Sequence, residues 1–338
     1  MTPNRYFYAT ILPGMQRCCY ACGTQPRRAT GMPEPRILII KLGAFGNVVL
    51  AMNAFAAIRA FHPTARISLL TTAPYADWLR QAPWFDEILV DTRPAWWNLP
   101  GLYRLCRTLR RPGFTRVYDL QTSGRSSHYF RLFPHAAKPQ WSGIVASGSH
   151  PDRDPNRAHR HDIDRQASQL RQAGIVTMPS ADLSWCRGDI GRFGLPTDFV
   201  VLVPGSAPHR PEKRWPAAHF QALALALRAQ GLTPVIVGSA AEAPIAREIP
   251  AALNLIGQTS FGDLADLARS ARFTVGNDTG PTHLLAAVGS PVVVLFSRAS
   301  DPALCAPSGL DVRVLRRPDL ASLEPEAVLA ELPYPVAA

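Results

Sequence analysis

Residues 272–296 constrain this chain more than any other stretch. Arg272-Phe273-Thr274-Val275 reads as a strand, Gly276-Asn277-Asp278-Thr279-Gly280-Pro281-Thr282-His283 as a polar loop, Leu284-Leu285-Ala286-Ala287-Val288 as a short helix, and 291–296 as a second buried strand. Pro281 suits the first turn of a helix, where its missing N–H costs nothing. Gly289 suits the left-handed residue after the helix end. A strand–loop–helix–strand unit belongs in a doubly wound sheet, which binds ligands outside the carboxyl ends of its strands. Unpaired N–H groups and the positive end of the helix dipole favour an anion there. The N–H groups of Thr279 and Gly280 and the Thr279 hydroxyl are the candidate phosphate donors. Asp278, itself an anion, reads as a cap or loop organiser. An Asp-Thr-Gly turn before a capped helix would account for the same residues without a ligand.

The rest of the chain alternates in the same way. Strands are expected at 36–41, 66–70, 87–90 and 116–120, and helices at 47–60, 75–81, 99–109 and 124–133. Residues 134–165 show little periodicity and read as a long excursion that folds over a site. A helix is expected at 161–173. A second alternation begins near Asp198: strands at 199–203, 233–237, 253–256 and 311–315, and helices at 216–229, 242–249, 261–270 and 326–332. The segment 183–198, with Gly188, Gly191, Gly194 and Pro196, reads as the break. The pattern predicts two Rossmann-like α/β domains facing a cleft, with 34–185 as the first and 198–332 as the second.

Three further loops follow strands and precede helices. Val203-Pro204-Gly205-Ser206 leads to Arg210, Lys213, Arg214 and Trp215-Pro216. Lys213 is a mobile point charge suited to a diphosphate, although it and Arg214 also fit as solvated surface charges. Lys41-Leu42-Gly43-Ala44-Phe45-Gly46-Asn47 is a Gly-x-x-Gly turn. It lacks both the Lys-Ser/Thr ending of a P-loop and the third glycine of the dinucleotide fingerprint. The hydroxyl-rich turn from Tyr118-Asp119-Leu120-Gln121 to Arg125 either lines the acceptor side of the cleft or caps a helix.

The 338 residues carry a net charge of +11. Such a surface favours polyanions, namely nucleic acid, anionic lipid or phosphorylated glycan, although GC-rich codon usage also enriches arginine. No apolar run reaches the roughly 18 residues that span a bilayer. The 6 cysteines are too scattered for a disulfide framework. Cys19-Tyr20-Ala21-Cys22 is half a zinc site with no second half nearby. Residues 1–33 lack periodicity and read as a disordered leader or a misassigned start, with Met32 as the alternative first residue.

The 276–283 loop, the Pro204–Pro216 segment and Lys41–Gly46 together resemble the bacterial lipopolysaccharide heptosyltransferases, glycosyltransferase family nine, in order over about residues 36–317. The resemblance implies a GT-B fold. It also implies inverting transfer of heptose from ADP-heptose to the lipopolysaccharide inner core, without metal or cofactor. By resemblance Lys213 contacts the donor diphosphate. Asp278, Thr279, Gly280 and His283 form the donor phosphate and sugar pocket, with Ser206 beside it. Glu242 lies near the ribose and Thr259 near the adenine. The turn with Gly43 and Gly46 faces the acceptor and the reacting centre, and Gln121 and Arg125 of the hydroxyl-rich turn are the further acceptor-side candidates read from the residues themselves. The enzyme would be cytoplasmic, with a basic face touching the phosphorylated lipid of the inner membrane.

One position departs from the family. An Asp, thought to be the general base, usually follows the second glycine of the first motif. This chain has Asn47, whose amide cannot accept the proton. Three readings follow: Asp119, His128 or Asp91 substitutes; positioning alone sustains slow turnover; or the protein binds nucleotide-sugar without turnover. A nucleic-acid-binding protein is a further alternative, but no aromatic-basic recognition motif supports it.

Overall fold

The computed structural model describes residues 34–333; the Cys19–Cys22 pair and the rest of 1–33 lie outside the described residues. The first lobe is built on strands β1 (Arg36–Ile40), β2 (Arg66–Thr71), β3 (Glu87–Val90), β4 (Arg116–Asp119), β5 (Gln140–Gly143) and β6 (His150–Pro151). They form a wholly parallel sheet in the order β3-β2-β1-β4-β5-β6. Helices α1 (Phe45–Val49), α2 (Met52–Phe61), α3 (Ala73–Leu79), α4 (Leu99–Arg110), α5 (Gly124–Tyr129) and α6 (Asp162–Gln172) accompany them.

The second lobe repeats the plan. Its strands are β7 (Phe199–Val203), β8 (Thr233–Ile236), β9 (Leu253–Asn254), β10 (Thr274–Asn277), β11 (Val292–Phe296) and β12 (Val312–Arg316), parallel in the order β12-β11-β10-β7-β8-β9. The helices are α7 (Ala217–Ala229), α8 (Ala243–Arg247), α9 (Phe261–Ser270), α10 (Gly280–Ala287), α11 (Pro302–Cys305) and α12 (Pro325–Leu329). Strands β7 and β11 are buried along their whole length, which is why they read as continuous apolar runs.

Strand order reverses between β1 and β4 in one sheet and between β7 and β10 in the other. All four loops singled out in the sequence leave the carboxyl ends of these four strands. They therefore flank the two switch points, where open α/β sheets bind ligands.

Two expectations are corrected. The excursion at 134–165 supplies β5 and β6, with Trp141 fully buried among Phe130 and Phe133. The helix expected at 47–60 is two helices, α1 and α2, interrupted at Leu50-Ala51.

The connecting segment is a tied strap. The Asp189 N–H donates to Asp263 Oδ1 at 3.0 Å, Arg192 reaches Asp263 Oδ2 at 2.7 Å, and a side chain on Gly188 would strike the backbone of α9. One apolar core runs from Ile37, Phe55 and Trp78 of the first lobe to Val203, Leu264 and Leu285 of the second. At its centre Phe45 stacks on Phe261 with ring centroids 4.3 Å apart and meets Trp78 edge-on at 5.4 Å.

Candidate functional site

The site begins with Asn277, the last residue of β10. Its fully buried amide receives the Trp215 N–H at 3.0 Å and donates to the Pro204 carbonyl at 2.8 Å. One side chain thus clamps the loop after β7 to the loop after β10. Trp215 is anchored in turn through its indole N–H to the Leu323 carbonyl at 2.8 Å. Thr282 folds its hydroxyl back to the Asn277 carbonyl at 2.8 Å and fixes the entry to α10. Pro281 sits in the first turn, and Gly289 takes φ +105° after the end of the helix, as the sequence requires.

This clamp delivers Lys213 to the start of α10. Its ammonium donates to Asp278 Oδ2 at 2.5 Å, and Ser300, beyond β11, donates to the same oxygen at 2.6 Å. His283 Nε2 stands 3.4 Å from Oδ1. Burial pushes the Asp278 carboxyl up, but the neighbouring His283 and Lys213 outweigh it and hold the pKa at about 2. Asp278 is therefore an organiser: it fixes the cation beside Thr279 and Gly280. Ser300 gave no sequence signal. Its position beyond a third carboxyl strand end of the same sheet is what could have revealed it.

The other donor-side residues surround this point unequally. Ser206 is buried and its hydroxyl is engaged, donating to the Arg210 carbonyl at 3.0 Å and accepting from Arg214 at 3.1 Å. Glu242 accepts from the Ser239 N–H at 2.6 Å, and its carboxylate overhangs Gly205, where a Cβ would lie 1.6 Å from Oε1. Thr259 is half-buried just before the Ser260 cap of α9.

The first lobe meets this site directly. A Cβ on Gly46 would lie 2.9 Å from the His283 ring, and one on Gly280 would lie 2.4 Å from the Phe45 ring. Both glycines are required for that approach. Gly43, at φ +120°, packs against Tyr75. Gln121 holds the turn by accepting the Leu42 N–H at 2.9 Å, and Arg93 donates to the Leu42 carbonyl at 2.6 Å. Arg125 donates to the Pro94 carbonyl at 3.2 Å and lies over the Trp96 ring.

Asn47 is exposed on α1. The carboxylates offered as substitutes are not. Asp119 is fully buried, with Oδ1 accepting the Gln121 and Thr122 N–H groups, and burial pushes its pKa up to about 6 against those bonds. Asp91 is buried and accepts from the Tyr129 hydroxyl at 2.5 Å and the Arg93 N–H at 2.7 Å. His128 is exposed, with Nδ1 2.5 Å from the Gly124 carbonyl. Among the described residues no group of three or more His, Cys, Asp or Glu is arranged to hold a metal ion.

Two doubly wound lobes whose switch-point loops meet across one seam define the GT-B architecture. The model of glycosyltransferase family 9 (heptosyltransferase) matches residues 102–326, and the chain belongs to that family. It is 26% identical to lipopolysaccharide heptosyltransferase 2 of Escherichia coli K12 over 309 residues, 83% of this chain and 88% of that protein. It is 23% identical to lipopolysaccharide heptosyltransferase 1 of the same strain over 320 residues, 88% and 99% of the two chains. The fold matches the structure of E. coli ADP-heptose lps heptosyltransferase II with a TM-score of 0.71 at 21% identity, covering 88% of this chain and 97% of that one. It matches E. coli heptosyltransferase WaaC with ADP at a TM-score of 0.67 and 20% identity, covering 87% and 98%.

Proposed function

We propose that this glycosyltransferase moves heptose from ADP-heptose to a lipopolysaccharide core, inverting the anomeric centre without a metal. The second lobe, 198–332, takes the donor and the first, 34–185, the acceptor. The observation that carries the reading is the convergence of Lys213, Thr279 and Gly280 at the start of α10, against the Gly43–Asn47 turn of the other lobe. A departing ADP gains negative charge, and a lysine with a helix N-terminus stabilises it where it forms. Glu242 and Thr259 border the space for ribose and adenine, and Ser206 shapes the loop through Arg210 and Arg214. Gln121 and Arg125 position the acceptor-side rim. Holding both substrates at the seam supplies much of the remaining acceleration.

Proton removal from the acceptor hydroxyl is the weak step in this chain. Asp119 and Asp91 are buried, His128 packs beside the Trp96 ring with Nδ1 at the Gly124 carbonyl, and position 47 is an amide. Turnover by positioning, lower by the ~10²–10⁴-fold that a general base supplies, is the reading we adopt. The same burial favours one alternative, a nucleotide-sugar-binding protein with impaired transfer. Calorimetry with ADP and ADP-heptose, paired with a transfer assay on a truncated lipopolysaccharide core, separates them. Binding with transfer supports the enzyme, binding without transfer supports the alternative, and no nucleotide binding sinks both. The acceptor's lipid places the protein at the cytoplasmic face of the inner membrane as a peripheral protein. Among the described residues, no helix is long and apolar enough to cross a membrane.

A further inference from the structure

We propose that the segment from Trp96 to Arg111 is the surface that docks this protein on an anionic lipid bilayer. The proposal rests on the reading of the acceptor as lipid-linked and names the surface that meets the lipid. Trp97 is 85% exposed, Leu99 71%, Tyr103 69% and Trp96 45%. Scattered exposed apolar residues need no explanation, but four within eight residues make a patch. Helix α4 buries Leu105 and Leu109 against its own lobe. Leu99, Tyr103, Arg107 and Arg110 recur at helical spacing on the opposite, outer face.

Along this segment the charge has one sign. From Thr92 to Tyr118 the sequence carries six arginines and no acidic residue. Among the described residues Arg104, Arg107 and Arg111 have no ion-pair partner. Tryptophan and tyrosine settle at the boundary between headgroups and acyl chains, and arginines alongside them meet lipid phosphates. A protein partner would need acidic side chains matching this row, whereas an anionic leaflet presents headgroup phosphate charge everywhere.

The placement is functional as well as chemical. The patch begins at the carboxyl rim of the first sheet, next to the acceptor-side loops: Arg93 bonds the Leu42 carbonyl, and Arg125 bonds the Pro94 carbonyl while lying 5.1 Å above the Trp96 ring. A bilayer seated on Trp97, Leu99 and Tyr103 lies beside the side of the seam assigned to the acceptor.

The test is co-sedimentation of the full chain with phosphatidylcholine vesicles, with and without roughly a third phosphatidylglycerol. The chain should bind the anionic vesicles, less so as salt rises. Trp97→Ser with Tyr103→Ser should reduce that partitioning about tenfold or more. Arg104→Ala with Arg107→Ala should weaken it on anionic vesicles alone. Both variants should keep the wild-type melting temperature and turnover on a lipid-free core acceptor. Failure of the wild type to bind vesicles, or unchanged binding in the variants, overturns the proposal. So does a wild-type dimer that Trp97→Ser abolishes, which would give the face to a second copy. The lipid-free assay scores the transferase reading separately: turnover without docking refutes this surface alone, and docking without turnover refutes the transfer alone.

Discussion

The ammonium of Lys213 and the carboxylate of Asp278 lie 2.5 Å apart, although 65 residues separate them in the chain. Asn277 brings the two together, and the pair sets the charge at the opening of α10. Replacing Lys213 by Ala removes the cation and leaves a buried carboxylate short of a donor. ADP affinity should fall about tenfold or more, because hydrogen bonds to charged groups contribute roughly 1.5–3 kcal/mol. Calorimetry reads this directly, and an unchanged Kd would falsify the donor-site assignment.

Asn47→Asp restores a carboxylate to an exposed position on α1. Turnover should rise by about 10²-fold or more, while ADP affinity stays the same. Single-turnover kinetics on a truncated core acceptor provides the measurement. No gain, or a loss, would mean that another group already takes the proton.

The pH dependence of stability carries two opposed contributions. Asp278 titrates at about 2 in the fold, below the unfolded value near 4. Its stabilisation, about 2 kcal/mol, is complete above roughly pH 4 and is lost as pH falls towards 2. Asp119 titrates at about 6, above its unfolded value, so ionising it destabilises the fold progressively from about pH 4 to 6. Asp119→Asn keeps an oxygen for the Gln121 and Thr122 N–H groups and removes the charge. Denaturant melts across pH 3–8 should show the variant gaining on the wild type between about pH 4 and 6. A constant difference over that range would refute the assignment.

Two glycine substitutions separate the seam from the scaffold. Gly280→Ala sets a methyl 2.4 Å from Phe45 Cδ1 and 2.7 Å from its Cβ. It should cost about 1–3 kcal/mol and weaken ADP binding. Gly289→Ala strains a residue at φ +105° with nothing crowding it. It should cost about 1–2 kcal/mol and leave ADP affinity intact. Thermal melts with calorimetry distinguish them; equal effects of the two on affinity would disconnect the Phe45 contact from the donor site.

Much of this architecture is legible in the sequence where burial is continuous. Residues 199–203 and 261–270 coincide with β7 and α9, the latter because Ser260 and Asp263 form a capping box ahead of an apolar stripe. Strands β5 and β6 escape notice because each is short and semi-polar: Gln140-Trp141-Ser142-Gly143 and His150-Pro151 draw their order from pairing with β4 and with each other. The break at Leu50-Ala51 is invisible because both residues are apolar and buried, so the helical spacing continues across it. At the site, the loops were readable from glycine and polar clusters beside apolar runs. The clamp made by Asn277 and the Ser300 contact were not, since single polar residues acquire partners only when distant strands align. Burial of Asp119 and Asp91 was equally hidden: a carboxylate at a strand end looks the same in sequence whether it faces solvent or backbone.

The stack of Phe45 on Phe261 has a mechanical consequence. The turn that presents position 47 belongs by sequence to one lobe, yet its aromatic ring rides on a helix of the other. Tyr75 and Trp78 of its own lobe hold the other sides of that ring, so α9 cannot move without repacking this cluster, and the aim of the turn is set jointly by both lobes.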